Sequence, residues 1–144
     1  MLQLDPGGST LAEKHIPHLQ AVAQQVAEVV RDKGATDEEV RTLLAIGMRE
    51  SRFGIPYSEY FPVSHAGACG IWQVKPRTDY NESCADMQDL YYAATRALEE
   101  IRYWRRKKGR LCHYNGGWRC RSAARRYERD VKRYARRALA YNRR

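Results

Sequence analysis

Glu50 is the residue best placed to do chemistry in this chain, because an apolar helical run delivers it to a helix end. In LLAIGMRESRFG, residues 43–54, Leu43, Leu44, Ile46 and Met48 supply a packing face, and Gly54 and Pro56 stand where the helix must stop. A carboxyl at a C-terminal helix end meets partially negative carbonyls. Walls such as Phe53 and Trp72 would keep water away, and both effects hold the proton on, above the free value of about 4.3. An acid that keeps its proton near neutrality can protonate a leaving oxygen. Arg49 and Arg52 oppose that shift if their guanidinium groups approach.

Two later segments add groups suited to a neutral, hydroxyl-rich ligand. In SHAGACGIWQVKP, residues 64–76, Gly67 and Gly70 would let the backbone come close to a saccharide, and Gln73 offers donor and acceptor without a charge. In LCHYNGG, residues 111–117, Tyr114 and Asn115 place a phenol and an amide at the end of one element, before Gly116 and Gly117 turn the chain. Each also has an ordinary structural use: a surface glutamine, a buried tyrosine, a capping asparagine. Trp72 and His113 read as packing. Between Ser51 and Gly70, a loop or short helix carries Tyr57, Tyr60 and Phe61, which either stack on sugar rings or pin the loop to the core.

The elements that must position these groups are helices. Residues 1–15 hold Pro6, Gly7, Gly8 and Ser9 without periodicity and read as an arm, leaving 16–144 as a single domain. Leu19, Val22, Val26, Val29 and Val30 recur at helical spacing after Pro17, with Gly34 as the stop. Thr36 followed by Asp37, Glu38 and Glu39 is a capping box that starts the helix carrying Glu50. A long helix over Asp86–Lys108 packs through Leu90, Ala94, Ala97, Leu98, Ile101 and Trp104, and Gly109 ends it. From Ser122, the spacing of Ala123, Ala124, Tyr127, Val131, Tyr134, Ala135 and Ala138 predicts a closing helix with arginines on its other face. The fold class is therefore mainly α.

These motifs, in this order, resemble those of the soluble lytic transglycosylases. Glu50-Ser51 is similar to the family's catalytic Glu-Ser pair, Gly70-Ile71-Trp72-Gln73 to its glycine, two apolar residues and glutamine, and Tyr114-Asn115 with Gly117 to its Tyr-Asn-X-Gly signature. Tyr127 and Val131 resemble the tyrosine and valine that close the family domain. The likeness spans roughly residues 16–131. Where relatives commonly carry an Asn-Ile pair and a glycine, this chain has Tyr91, Tyr92 and Thr95, so the long helix must pack at a different distance. The resemblance implies a lysozyme-like domain of several helices around a substrate cleft, acting on peptidoglycan glycan strands as a monomer. It implies Glu50 as sole acid and base, and Ser51, Gly70, Gln73, Tyr114 and Asn115 as substrate-binding or positioning groups, with no cofactor or metal. The alternatives are a hydrolytic muramidase, in which Glu59 or Ser64 holds a water, and a noncatalytic binder of anionic polymers.

Charge is unevenly spread. The net charge is +9, and from Ile101 onward 17 basic residues face only 2 acidic ones. The basic C-terminal helix therefore favours an anionic partner, such as a cell-envelope surface, without an obligate nucleic acid. No run is long and apolar enough to span a membrane, and MLQLDPGGST lacks the basic-then-apolar pattern of a signal peptide. A protein acting in the periplasm or cell wall would then be a phage lysin, a virion part, a secretion-machine component, or a mature domain with an added Met1. Among the four cysteines, spacing favours Cys69 with Cys84 and Cys112 with Cys120, against free buried thiols. His113 beside Cys112 does not make a zinc site of them.

Overall fold

The structure is a computed structural model and describes residues 15–54, 63–64 and 66–142, the last five of these by backbone alone. Residues 1–14, Tyr57, Glu59, Tyr60, Phe61 and His65 lie outside the described residues. Five α-helices carry the described chain: α1 Ile16–Lys33, α2 Asp37–Ser51, α3 Leu90–Lys108, α4 Cys112–Gly116 and α5 Ser122–Asn142. No strand occurs among the described residues; Cys69 and Val74 form one isolated antiparallel bridge. The mainly α expectation therefore holds.

The ends follow local chemistry. Pro17 opens α1, and Gly34 closes it in the left-handed region, donating its N–H to the Val30 and Arg31 carbonyls. The Thr36–Glu39 capping box forms as expected. The long helix starts at Leu90 rather than Asp86. Asp89 is its N-cap, accepting the Tyr92 N–H at 2.8 Å, whereas Asp86 accepts the Ser83 N–H at 2.7 Å and belongs to a separate 3-10 turn. Gly109 ends it.

α2 is the central element and packs on α5 and α3, while α1 covers α3. Leu43 and Ile46 of α2, Val29 of α1, Ala94, Ala97 and Leu98 of α3 and Val131 of α5 are the heart of the core. Each large aliphatic side chain buried there contributes about 1.5–3 kcal/mol. Arg102 of α3 grips both Glu39 oxygens, at 3.0 and 2.9 Å, and donates to the Lys33 carbonyl at 3.1 Å. One guanidinium thus joins α3 to the end of α1 and the start of α2.

Three polar features were not expected. Arg96 is buried on the α3 face otherwise lined with alanine and leucine, and it faces Glu82 at 2.9 Å. Glu82 also takes bonds from the Arg77 backbone and guanidinium and from Tyr92. Burial pushes the Glu82 carboxyl up, but the hydrogen bonds from Arg77 and Tyr92 and the Arg96 charge outweigh it and bring the pKa down to about 2. Tyr91, the other tyrosine that sets this helix's packing, bonds across to Asp32 of α1 at 2.9 Å. Both disulfides favoured by spacing, Cys69–Cys84 and Cys112–Cys120, are formed.

Candidate active site

Glu50 lies in the last turn of α2, and that end is built differently from expectation. The helix stops at Ser51, because Arg52 and Phe53 both take left-handed backbone, at φ 49° and 55°, ahead of Gly54. Non-glycine residues there cost about 1 kcal/mol or more each, so something must hold them. Ser51 does so on one side: its hydroxyl donates to the Ile71 carbonyl at 2.9 Å and accepts the Gly54 N–H at 3.1 Å. His18 of α1 does so on the other, its ring nitrogen 2.6 Å from the Phe53 carbonyl. Ser51 is therefore a clamp between the acid's helix and the 69–74 turn.

That turn is locked to α2 a second time. The Trp72 indole N–H donates to the Leu43 carbonyl at 2.9 Å, and Gly47 makes room for it. A Cβ on Gly47 would stand 2.7 Å from the Phe53 ring and 3.0 Å from the indole nitrogen. Phe53 and Trp72, expected as walls beside the acid, thus pack against Gly47 in the core, at 2% and 1% exposure. Gly70 also serves packing: its φ is 76°, and a Cβ would meet the Met87 carbonyl at 3.0 Å. Its close approach is to protein rather than to an open cleft. Gln73, at φ 49°, returns its side-chain amide to the Gly70 carbonyl at 3.0 Å and closes the same turn.

Two tyrosines lie within electrostatic reach of the Glu50 carboxyl. Tyr114 of α4 and Tyr127 of α5 stack with centroids 6.4 Å apart and planes 3° from parallel. Tyr114 donates to the Trp72 carbonyl at 2.8 Å, tying α4 to the 69–74 turn. The Tyr127 hydroxyl is buried and has no hydrogen-bond partner among the described residues, yet it lies within electrostatic reach of Glu50. This is a polar contact rather than a formed bond, since the geometry of an ordinary hydrogen bond is not met. Both phenols are pushed well above the usual tyrosine range, by burial first and by Glu50 next.

Burial raises the Glu50 pKa, and Tyr127 and then Arg49 pull it partly back. The upward direction is as expected. Arg49 is turned aside: it pairs with Asp130 of α5 at 3.2 Å and lies over the Tyr127 ring at 5.6 Å. No carboxylate among the described residues acts on Glu50. Glu100 acts on Tyr114 but is held by Arg96 at 3.5 Å, and Asp79 is exposed. Ser64 uses its hydroxyl to accept the Ala68 N–H at 3.0 Å.

The structure thus ties Ser51 and Tyr114 to the 69–74 turn that carries Gln73, with Glu50 next to Ser51 at the end of α2, and adds Tyr127, which the spacing of α5 presents as a core position. Asn115 stands apart. It is exposed and lines a cavity of about 480 Å³ with Gly116, Trp118 and Arg119, and no hydrogen bond ties it to Glu50. His113 packs, with its ring stacked on Trp104 at 5.4 Å and Nδ1 2.6 Å from the Gly117 carbonyl. It lies within 4.8 Å of the Cys112 and Cys120 sulfurs, but those sulfurs are spent on their disulfide. Against known proteins, the chain matches no family model, no curated protein and no solved structure.

Proposed function

We propose that the chain cleaves peptidoglycan glycan strands as a lytic transglycosylase, with Glu50 as acid and then base. The observation that carries this reading is a single carboxyl, its pKa raised by burial, beside two tyrosines, on which no other described carboxylate acts. The two-carboxylate scheme for glycosidases needs a second Asp or Glu across the bond. A lone acid suffices when the substrate supplies the second group. Glu50 would give its proton to the glycosidic oxygen between MurNAc and GlcNAc, and the MurNAc acetamido oxygen would stabilise C1. The Glu50 carboxylate would then take the proton of the MurNAc C6 hydroxyl as that oxygen closes on C1, leaving a 1,6-anhydro sugar. Water is neither consumed nor released.

Ser51 and Tyr114 would serve as positioning residues, since their hydroxyls donate to the Ile71 and Trp72 carbonyls, and Gln73, whose amide N–H closes the turn on Gly70, would help hold the saccharide or the acid. Asn115, at the open side, would meet the saccharide. The setting would be a cell wall.

Digestion of purified peptidoglycan and weighing of the products tests this. Muropeptides lighter by one water and lacking a reducible end are expected, and Glu50→Gln should abolish them while leaving the fold intact. Reducing ends in most products would replace the transglycosylase with a muramidase, and no soluble product from a folded sample would leave a binder.

A further inference from the structure

We propose a second site, a phosphate-ester pocket at the opposite end of α2 from Glu50. A cavity of about 390 Å³ opens where the first turns of α2 meet the end of α3 and the middle of α5. At 1.5 Å per residue, its α2 residues Glu38 and Arg41 lie roughly 14–18 Å along the helix from Glu50. The two sites are therefore separate.

Its chemistry is lopsided. Arg41, Arg105, Arg110, Lys132 and Arg136 line it against only two carboxylates, Glu38 and Glu128. Arg105 is paired with Glu38 at 3.0 Å, and Lys132 and Arg110 with Glu128 at 2.6 and 3.4 Å. Glu128 further accepts the Cys112 N–H at 3.1 Å, so this carboxylate is committed to the fold. Arg41 and Arg136 have no carboxylate partner among the described residues. They come from different helices onto one cavity and leave it three charges positive.

Such a surplus calls for an anion with more than one acceptor oxygen. Guanidinium forks match phosphate oxygens in pairs, and a phosphate ester satisfies several forks at once. The cavity is larger than a phosphate ion needs and falls at the small end of ligand pockets. Ile101, Leu111, Val131 and Ala135 give it an apolar lining for the carbon part of the ligand. A hollow between three helices receives one unit, whereas a nucleic-acid strand needs a groove that tracks its backbone. The ligand class is thus a phosphorylated polyol or sugar, free or as the repeating unit of a phosphate-bearing polymer.

Calorimetric titration of the whole chain at low ionic strength with glycerol phosphate, with a poly(glycerol phosphate), and with a single-stranded oligonucleotide tests this. Saturable binding of glycerol phosphate is expected, and tighter binding of the polymer would name the repeating unit as the source. Arg41→Gln with Arg136→Gln should weaken it at least about ten-fold, with melting unchanged because neither change strands a carboxylate. Arg125→Gln with Arg129→Gln removes the same charge from exposed positions of α5 outside the cavity and should weaken it less than about two-fold. Equal losses in the two double variants, no saturable binding of glycerol phosphate, or binding of the oligonucleotide alone would each overturn the proposal.

Discussion

Tyr114 and Tyr127 are stacked on each other beside one acid, yet removing their hydroxyls should have opposite consequences. Tyr114→Phe deletes the 2.8 Å bond to the Trp72 carbonyl and leaves that acceptor unpaired under a residue only 1% exposed. An orphaned buried acceptor costs about 1–3 kcal/mol. Tyr127→Phe deletes a hydroxyl that has no hydrogen-bond partner among the described residues, and the ring that stacks on Tyr114 and carries Arg49 is retained. The desolvation that the hydroxyl suffers in the fold, also about 1–3 kcal/mol, disappears with it. Its polar contact with Glu50 offsets part of that, so the net change lies within about 1 kcal/mol of zero. Urea unfolding of the three proteins at neutral pH measures the difference. A Tyr127→Phe loss as large as that of Tyr114→Phe would show that the hydroxyl has a partner and that the polar-contact assignment is wrong. A second readout is independent of stability. Because Tyr127 lowers the Glu50 pKa, its removal must raise it further, which carboxyl NMR titration detects. A downward shift would refute the electrostatics of the site.

Two further predictions concern pH. Since the folded Glu50 pKa is raised, its contribution is fully present below the unfolded value of about 4.3 and is lost as pH rises through the folded one. Glu50→Gln should therefore gain stability relative to the parent as pH climbs from 4 to 8; a constant difference in denaturation midpoint would contradict the burial. Glu82 has the reverse sign: its contribution is present above the unfolded value and is lost as pH falls through about 2. Glu82→Gln should cost about 3 kcal/mol at neutral pH, because buried Arg96 loses its one buried carboxylate and keeps only the more exposed Glu99 and Glu100, and the gap to the parent should shrink on acidification. A gap that persists unchanged at pH 2 would place the cost elsewhere.

Local signals were legible in the residues and long-range ones were not. The capping box at Thr36, the stops at Gly34 and Gly109 and the apolar side of α3 need only neighbours within one turn, and each is where its pattern puts it. The end of α2 depends on Ser51 reaching Ile71 and His18 reaching Phe53, so a stop at Gly54, the obvious breaker, is overridden two residues early. Gly70 illustrates the same limit: a glycine announces a close approach but not what approaches, and here it is Met87. Tyr127 sits at a core spacing on α5, and no local feature distinguishes a tyrosine whose hydroxyl ends beside an acid from one that only fills volume. Arg96 offered one signal, a cation on an otherwise apolar helix face, which calls for a buried carboxylate such as Glu82.

The surroundings of Glu50 are drawn from segments far apart along the chain. Arg49 meets Asp130 across 81 positions, Tyr114 meets Trp72 across 42, and His18 meets Phe53 across 35. Contacts of such separation are closed late in folding, after the helices they join. The burial that raises the Glu50 pKa is complete only once α2 is covered by its neighbours. The raised carboxyl pKa is thus a property of the completed fold, and a chain caught short of completion would carry an ordinary glutamate at that position.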